Sequence, residues 1–169
     1  VIRHAELRER SFVVSSFGKT YHCTGWKIAY CLAPRELMAE FRKAHQFVVF
    51  TVHHPSQLAI ADFMTAQPAF ATELADFYRR KRDFFRAQLA GSRLRPLPSA
   101  GTYFQLAMYD RINDMADTEF CRWLTIAHGV AAIPVSVFSA DRRDDRVVRF
   151  CFAKNEETLA AAGERLRRV

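Results

Sequence analysis

A chain of 169 residues that is half hydrophobic and 13% aromatic can bury a core and lacks the composition of a disordered segment. No apolar run reaches the ~20 residues that a membrane-spanning helix needs. The formal charge is +7, but its clusters, Arg79-Arg80-Lys81-Arg82 and Arg165, Arg167 and Arg168, lie in amphipathic helical stretches and read as solvated faces, not as a nucleic-acid surface.

The chain opens Val1-Ile2-Arg3-His4, without Met or a signal-peptide pattern, and is expected to be part of something longer. Ser11-Phe12-Val13-Val14-Ser15 reads as a short buried strand that runs into a loop containing Gly18. Lys27 to Leu32 reads as a second strand, stopped by Pro34. Arg35 to Val48 has helical periodicity, with Leu37, Met38, Phe41, Ala44 and His45 on one face. Ser56 is expected to cap a helix running to about Ala66. Pro68 introduces a long helix to about Leu89, closed by Gly91.

Composition changes near residues 91 to 93. Arg93 to Pro98 is extended, and Gly101 to Met108 is strand-like. Asp117 to Ala127 is an amphipathic helix ended by Gly129. Val130 to Val137 is a strand candidate, for which Pro134 argues an edge position or an irregular end. Val147 to Phe152 is a strand, and Asn155 caps a last helix with Glu residues at its start and Arg residues at its end. The order predicts a mixed α/β chain divided into residues 1–92 and 93–169. The first part has too few strands for a complete sheet, so its two strands are expected to belong to a larger one.

The chemistry concentrates in Ser15-Ser16-Phe17-Gly18-Lys19-Thr20 and Thr24-Gly25-Trp26-Lys27-Ile28-Ala29-Tyr30. A phosphate-binding Walker loop would need Gly five positions before Gly18, where the chain has Val13, so the nucleotide reading fails. A Schiff-base site fits better. A lysine amine can attack an aldehyde when unprotonated, which favours Lys19 in a loop away from bulk water. Gly18 leaves room for a ring, Ser16 offers a hydroxyl to a phosphate, and Lys27 offers it a positive charge. No C-x-x-C pair links Cys23, Cys31, Cys121 and Cys151, and neighbouring His53 and His54 would point apart on a strand, so no metal site is expected. The cysteines suit a reduced, cytoplasmic protein. Tyr103 and Phe104 read first as core aromatics, as do Phe77, Tyr78, Phe84 and Phe85.

S-x-G-K-T followed by T-G-W-K-I-A-Y resembles the Schiff-base segment of class I/II aminotransferases of fold type I, in the branch with methionine and kynurenine aminotransferases. The resemblance continues through His54 to Ala59, Gly101 to Phe104, Val130 to Phe138 and Val148 to Lys154, in the family's order. It implies the end of a large cofactor domain followed by a small α/β domain, the C-terminal part of such an enzyme. It further implies pyridoxal 5′-phosphate as cofactor, Lys19 as Schiff-base lysine and proton shuttle, and Ser16 and Lys27 as phosphate ligands. Arg149 is implied to grip the substrate α-carboxylate. Amino-acid and 2-oxo-acid substrates and a homodimer come with the family, and neither nucleic acid nor membrane is expected as a partner. The family's phosphate loop, ring stacker, Asn and pyridine-facing Asp precede the lysine, so this stretch alone is not expected to be a competent enzyme. A lyase or decarboxylase of the same fold and a non-catalytic dimerisation module remain as alternatives.

Overall fold

In the computed structural model, which describes residues 1–169, the chain forms two units, Val1–Leu74 and Ala75–Val169. The division falls within a long helix, whereas the change of composition lies near residue 92.

The first unit begins with a helical turn, α1 (Ala5–Arg8), which the periodicity did not announce. Two short strands follow, β1 (Val13–Ser16) and β2 (Ala29–Leu32), paired antiparallel from Val13↔Leu32 to Ser16↔Ala29. Between them lie a four-residue helix, α2 (Phe17–Thr20), and a 3-10 turn, Thr24–Trp26. Lys27 is not part of β2, contrary to the expected strand from Lys27 to Leu32. It closes the 3-10 turn in the left-handed region, with φ 56°, and the strand starts two residues later. The helices are α3 (Arg35–Val48) and α4 (His54–Ala66), with the start of α5 (Phe70–Gln88). Ser56 does not cap α4. Pro55 suits the first turn of the helix, so α4 begins earlier with His53 at its N-cap, and the Ser56 hydroxyl lies 2.8 Å from His53 Nδ1.

Two strands bury little by themselves. In this unit only Gly18, Ile28 and Ile60 are buried, and Val14, Leu32, Phe47, Val48 and Phe50 are each at least half exposed. An aromatic set does pack within it: Tyr21 stacks on Phe70 at 5.7 Å, and Phe63 meets both rings edge-on.

Alternation builds the second unit. Strands β3 (Arg95–Pro96), β4 (Phe104–Met108), β5 (Ile133–Pro134) and β6 (Val147–Cys151) form an antiparallel sheet in the order β3-β4-β6-β5. Gln105, Ala107, Val148 and Phe150 are buried on one face, while Phe104, Leu106, Met108 and Arg149 alternate with them. Helices α6 (Asp117–His128) and α7 (Glu156–Leu166) supply Phe120, Leu124, Leu159 and Leu166 to the core, and α5 supplies Phe85. Gly129 ends α6 in the left-handed region at φ 63°, where a side chain would be strained and a Cβ would meet Arg165 Nη1 at 2.6 Å. Asn155 caps α7 by accepting from the Thr158 N–H at 2.8 Å, a contact of about 1 kcal/mol.

The expected strand from Val130 to Val137 shrinks to Ile133–Pro134, because the chain turns into a 3-10 segment, Ser136–Phe138. Gln105 is a fully buried polar residue, made tolerable by donating to the Leu97 and Leu106 carbonyls at 2.7 Å and accepting from Arg86 at 3.3 Å. Tyr109 stacks on Phe120 at 3.9 Å and donates to the Met115 carbonyl, and burial together with Asp144 and Asp117 pushes its phenol up.

Cys121 is held in this core. Burial first, then the Asp117 and Asp144 carboxylates, push its thiol up to about 12. In the folded 169-residue chain at pH 8 only about one Cys121 in 10⁴ is then a thiolate, and thiol reagents are expected to modify it last. The half-buried Cys23, Cys31 and Cys151 should react first. A folded pKa above the unfolded one means that ionisation opposes folding, so stability should fall as pH rises from the ordinary 9.0 towards about 12. Equal labelling rates for all four thiols would contradict this placement.

Candidate active site

The side chains expected to form the site fall into two groups, one in each unit. In the first, the β1–β2 connection folds on itself. Ser16 caps α2, its hydroxyl accepting from the Gly18 N–H at 3.1 Å and lying 3.5 Å from the Ile28 carbonyl. Thr24 donates to the Gly18 carbonyl at 3.2 Å, and the Phe17 N–H donates to the Ile28 carbonyl at 3.1 Å. These bonds tie both arms of the connection together. Gly18 is buried at the centre, where a Cβ would come within 3.1 Å of Thr24 Cα and 3.2 Å of the Ser16 hydroxyl. Any larger residue would push the arms apart.

Lys19, expected in a loop away from bulk water, instead lies exposed on the last turn of α2, because Ser16 caps the segment into a short helix and this stretch buries only Gly18. Ser16 and Lys19 therefore share one short structure. Lys27 belongs to the same connection through the 3-10 turn, and it too is exposed. Its left-handed backbone, at φ 56°, is unusual for a residue with a long side chain and fixes where that side chain departs.

In the second unit Arg149 sits mid-strand in β6, paired with Leu106 of β4 and Ile133 of β5. Its guanidinium carbon lies 4.1 Å from the centre of the Phe104 ring and 4.9 Å from that of Phe138. Both are cation–ring contacts, and they narrow the freedom of a long side chain. Arg149 Nε is buried and has no hydrogen-bond partner. A buried unpaired guanidinium donor is costly, and a planar anion is the partner that satisfies it best.

Two contributions escaped the sequence. Phe104 was read first as a core aromatic. Tyr103 does pack against the core, but Phe104 lies on the other face, against Arg149. Strict alternation from the buried Gln105 and Ala107 was the available signal. Phe138 was only one letter in a motif, and nothing local marks it as the second ring beside Arg149. A groove of about 510 Å³ in this unit, lined among others by Phe85, Val130, Phe150 and Arg165, contains none of the expected site residues.

Residues 3–166 match the family described as aminotransferase class I and II. The chain belongs to this aminotransferase family. It is 54% identical to methionine aminotransferase from Escherichia coli (strain K12) over 169 residues, covering all of this chain and 44% of that protein. It is 31% identical to human kynurenine–oxoglutarate transaminase 1, covering 95% of this chain and 43% of that one. A crystal structure from Escherichia coli with an assigned methionine aminotransferase function superimposes with a TM-score of 0.96 at 54% identity, over 99% of this chain and 44% of the other. The mixed α/β architecture is thus that of fold type I aminotransferases, and the chain spans less than half the length of these relatives.

Proposed function

We propose that this aminotransferase chain carries the lysine-bearing loop and the carboxylate-gripping strand of an enzyme that uses pyridoxal 5′-phosphate to move an amino group from methionine or an aromatic amino acid to a 2-oxo acid. One observation carries the reading: a guanidinium framed by two aromatic rings, with a buried donor that lacks a partner. Such a group is prepared for a carboxylate. The 54% identity to a methionine aminotransferase supports the donor class.

The first unit suits the cofactor. Gly18 does not leave room for a ring as expected, since its missing Cβ lets Thr24 and Ser16 close around it; what supports the reading is that this packing holds the exposed Lys19 and the Ser16 hydroxyl in one short structure. Lys19 would hold the aldehyde carbon, and Ser16 and Lys27 the phosphate. When bound, the cofactor supplies an electron sink that makes the substrate Cα proton acidic.

The residues of this chain then have separate tasks. Arg149 binds the α-carboxylate and fixes the orientation of the Cα–H bond. Phe104 and Phe138 hold the guanidinium in that orientation and keep water from one side of it. Lys19 Nζ takes the Cα proton and later returns a proton, acting as base and then as acid. Lys27 offers its positive charge to the phosphate and takes no part in proton transfer.

The full-length protein would be a cytoplasmic homodimer. The exposed Val14, Leu32, Phe47, Val48 and Phe50 support further burial of the first unit by chain or partner not present here.

The test is stoichiometry. Full-length protein supplied with methionine and a 2-oxo acid should form one new amino acid for each methionine converted to its 2-oxo acid, with no ammonia and no carbon dioxide. Release of either gas-forming product, without a new amino acid, would make the enzyme a lyase or a decarboxylase.

A further inference from the structure

A second question about Arg149 is what holds its rings in place. Phe104 is fixed by β4, which is paired on both sides. Phe138 is 64% exposed, so core burial does not hold it. Its position depends on the short 3-10 segment Ser136–Phe138, which is closed by Phe138 N–H donating to Val135 at 3.1 Å and Ser139 N–H donating to Ser136 at 3.1 Å. Isolated 3-10 turns of this length are weak.

This one is clamped. Asp117, on the first turn of α6, is 2% exposed. One of its carboxylate oxygens accepts from the Ser136 N–H and the other from the Ser136 hydroxyl, both at 2.7 Å. Both oxygens thus serve a single residue 19 positions away. Asp117 is fixed in turn, since its N–H donates to Asp144 at 2.8 Å, and Asp144 also accepts from the Arg146 N–H at 2.7 Å.

We infer that Asp117 is a positioning residue for substrate carboxylate binding: it clamps Ser136, and through the turn that follows it holds Phe138 against the Arg149 guanidinium. The inference rests on the reading of Arg149 as the carboxylate ligand. Asp117 touches neither substrate nor cofactor. It sets the orientation of the arginine through a backbone turn.

The experiment uses the cofactor-loaded full-length protein and 3-phenylpropanoate, a carboxylate with no amino group, whose Kd is read by calorimetry. Asp117→Ala removes both contacts and should raise that Kd by about tenfold, the order of effect that loss of a cation–ring contact produces. The KM for the amino donor should rise in parallel, while kcat changes much less. Asp117→Asn can still accept from the Ser136 N–H and donate to its hydroxyl, so it should restore nearly the original Kd. Leu159→Ala serves as the stability control, because Leu159 is 2% exposed on α7 and belongs to the core and not to the clamp. It should lower Tm and leave the Kd unchanged. Should Asp117→Ala not fold, Ser136→Ala removes only the hydroxyl contact and should give a smaller rise in Kd.

Arg149→Ala separates the two levels of the argument. If it raises the Kd while Asp117→Ala and Ser136→Ala do not, the clamp is overturned and the carboxylate reading stands. If Arg149→Ala itself leaves the Kd unchanged, the carboxylate reading fails and the clamp fails with it. Equal rises in Asp117→Ala and Leu159→Ala would make Asp117 a purely structural residue and overturn the inference.

Discussion

Replacing Arg149 with Ala is expected to weaken amino-acid binding in the full-length enzyme by about 2–5 kcal/mol, the range for breaking a desolvated, hydrogen-bonded charge pair. The size follows from its surroundings. An arginine facing water would lose little, because water competes for both partners. Arg149 Nε is shielded, and rings at 4.1 and 4.9 Å restrict the guanidinium before any ligand arrives. Little side-chain entropy then remains to be lost on binding, so more of the interaction appears as affinity. Removing the side chain also uncovers the face of Phe104, a cavity that neither ring fills. Cofactor loading should be nearly unchanged, since Arg149 acts on substrate. Arg149→Lys should recover only part of the loss, because an ammonium offers a point charge in place of a planar fork. Titration with donor amino acid and, separately, with cofactor checks both halves. Parallel loss of substrate and cofactor affinity would show that Arg149 supports the fold and not the ligand.

The sequence made the second unit's regular elements legible because their signals are local. The strand-like runs Gly101 to Met108 and Val147 to Phe152 contain the observed strands Phe104–Met108 and Val147–Cys151, Gly129 marked the end of α6, and Asn155 marked the start of α7. It failed where a distant partner decides. The run from Val130 to Val137 has strand composition throughout, yet Asp117 draws Ser136 into a turn from 19 residues away. Asp117 itself reads as an ordinary acidic residue at a helix start. Lys27 fails for another reason: KIAYCL looks continuous, but the preceding Thr24–Trp26 turn needs a left-handed residue to rejoin the strand, and Lys27 takes that conformation without glycine. Ser56 was a sound cap by type, but Pro55 moved the helix start ahead of it. The candidate site was legible as residue types in order. The two rings beside Arg149 were not, because neither spacing nor composition distinguishes a ring beside a cation from a ring in a core.

Replacing Lys19 should have the larger effect on turnover. A positioned general base contributes about 10²–10⁴-fold, and Lys19 is proposed to fix the aldehyde as well. Lys19→Ala in the full-length protein is therefore expected to lower kcat by at least about a thousandfold, which converts to about 4 kcal/mol of transition-state stabilisation. Lys19→Arg should be nearly as poor, since a guanidinium keeps its charge and cannot act as the base. The loop itself should survive both changes. Its bonds run from Gly18 to Ser16, from Thr24 to Gly18 and from Phe17 to Ile28, and none uses the Lys19 side chain, which is exposed. Carboxylate affinity should also survive, because it depends on Arg149. That pattern, lost turnover with binding retained, is the signature of missing chemistry as opposed to missing structure. A small primary amine in solution should restore part of the rate in Lys19→Ala by replacing the proton carrier, and should do nothing for the parent enzyme. Borohydride reduction of the cofactor-loaded parent, followed by peptide mapping, should leave the cofactor attached at Lys19. Attachment at another lysine, or a Lys19→Ala variant within tenfold of the parent rate, would remove Lys19 from the mechanism.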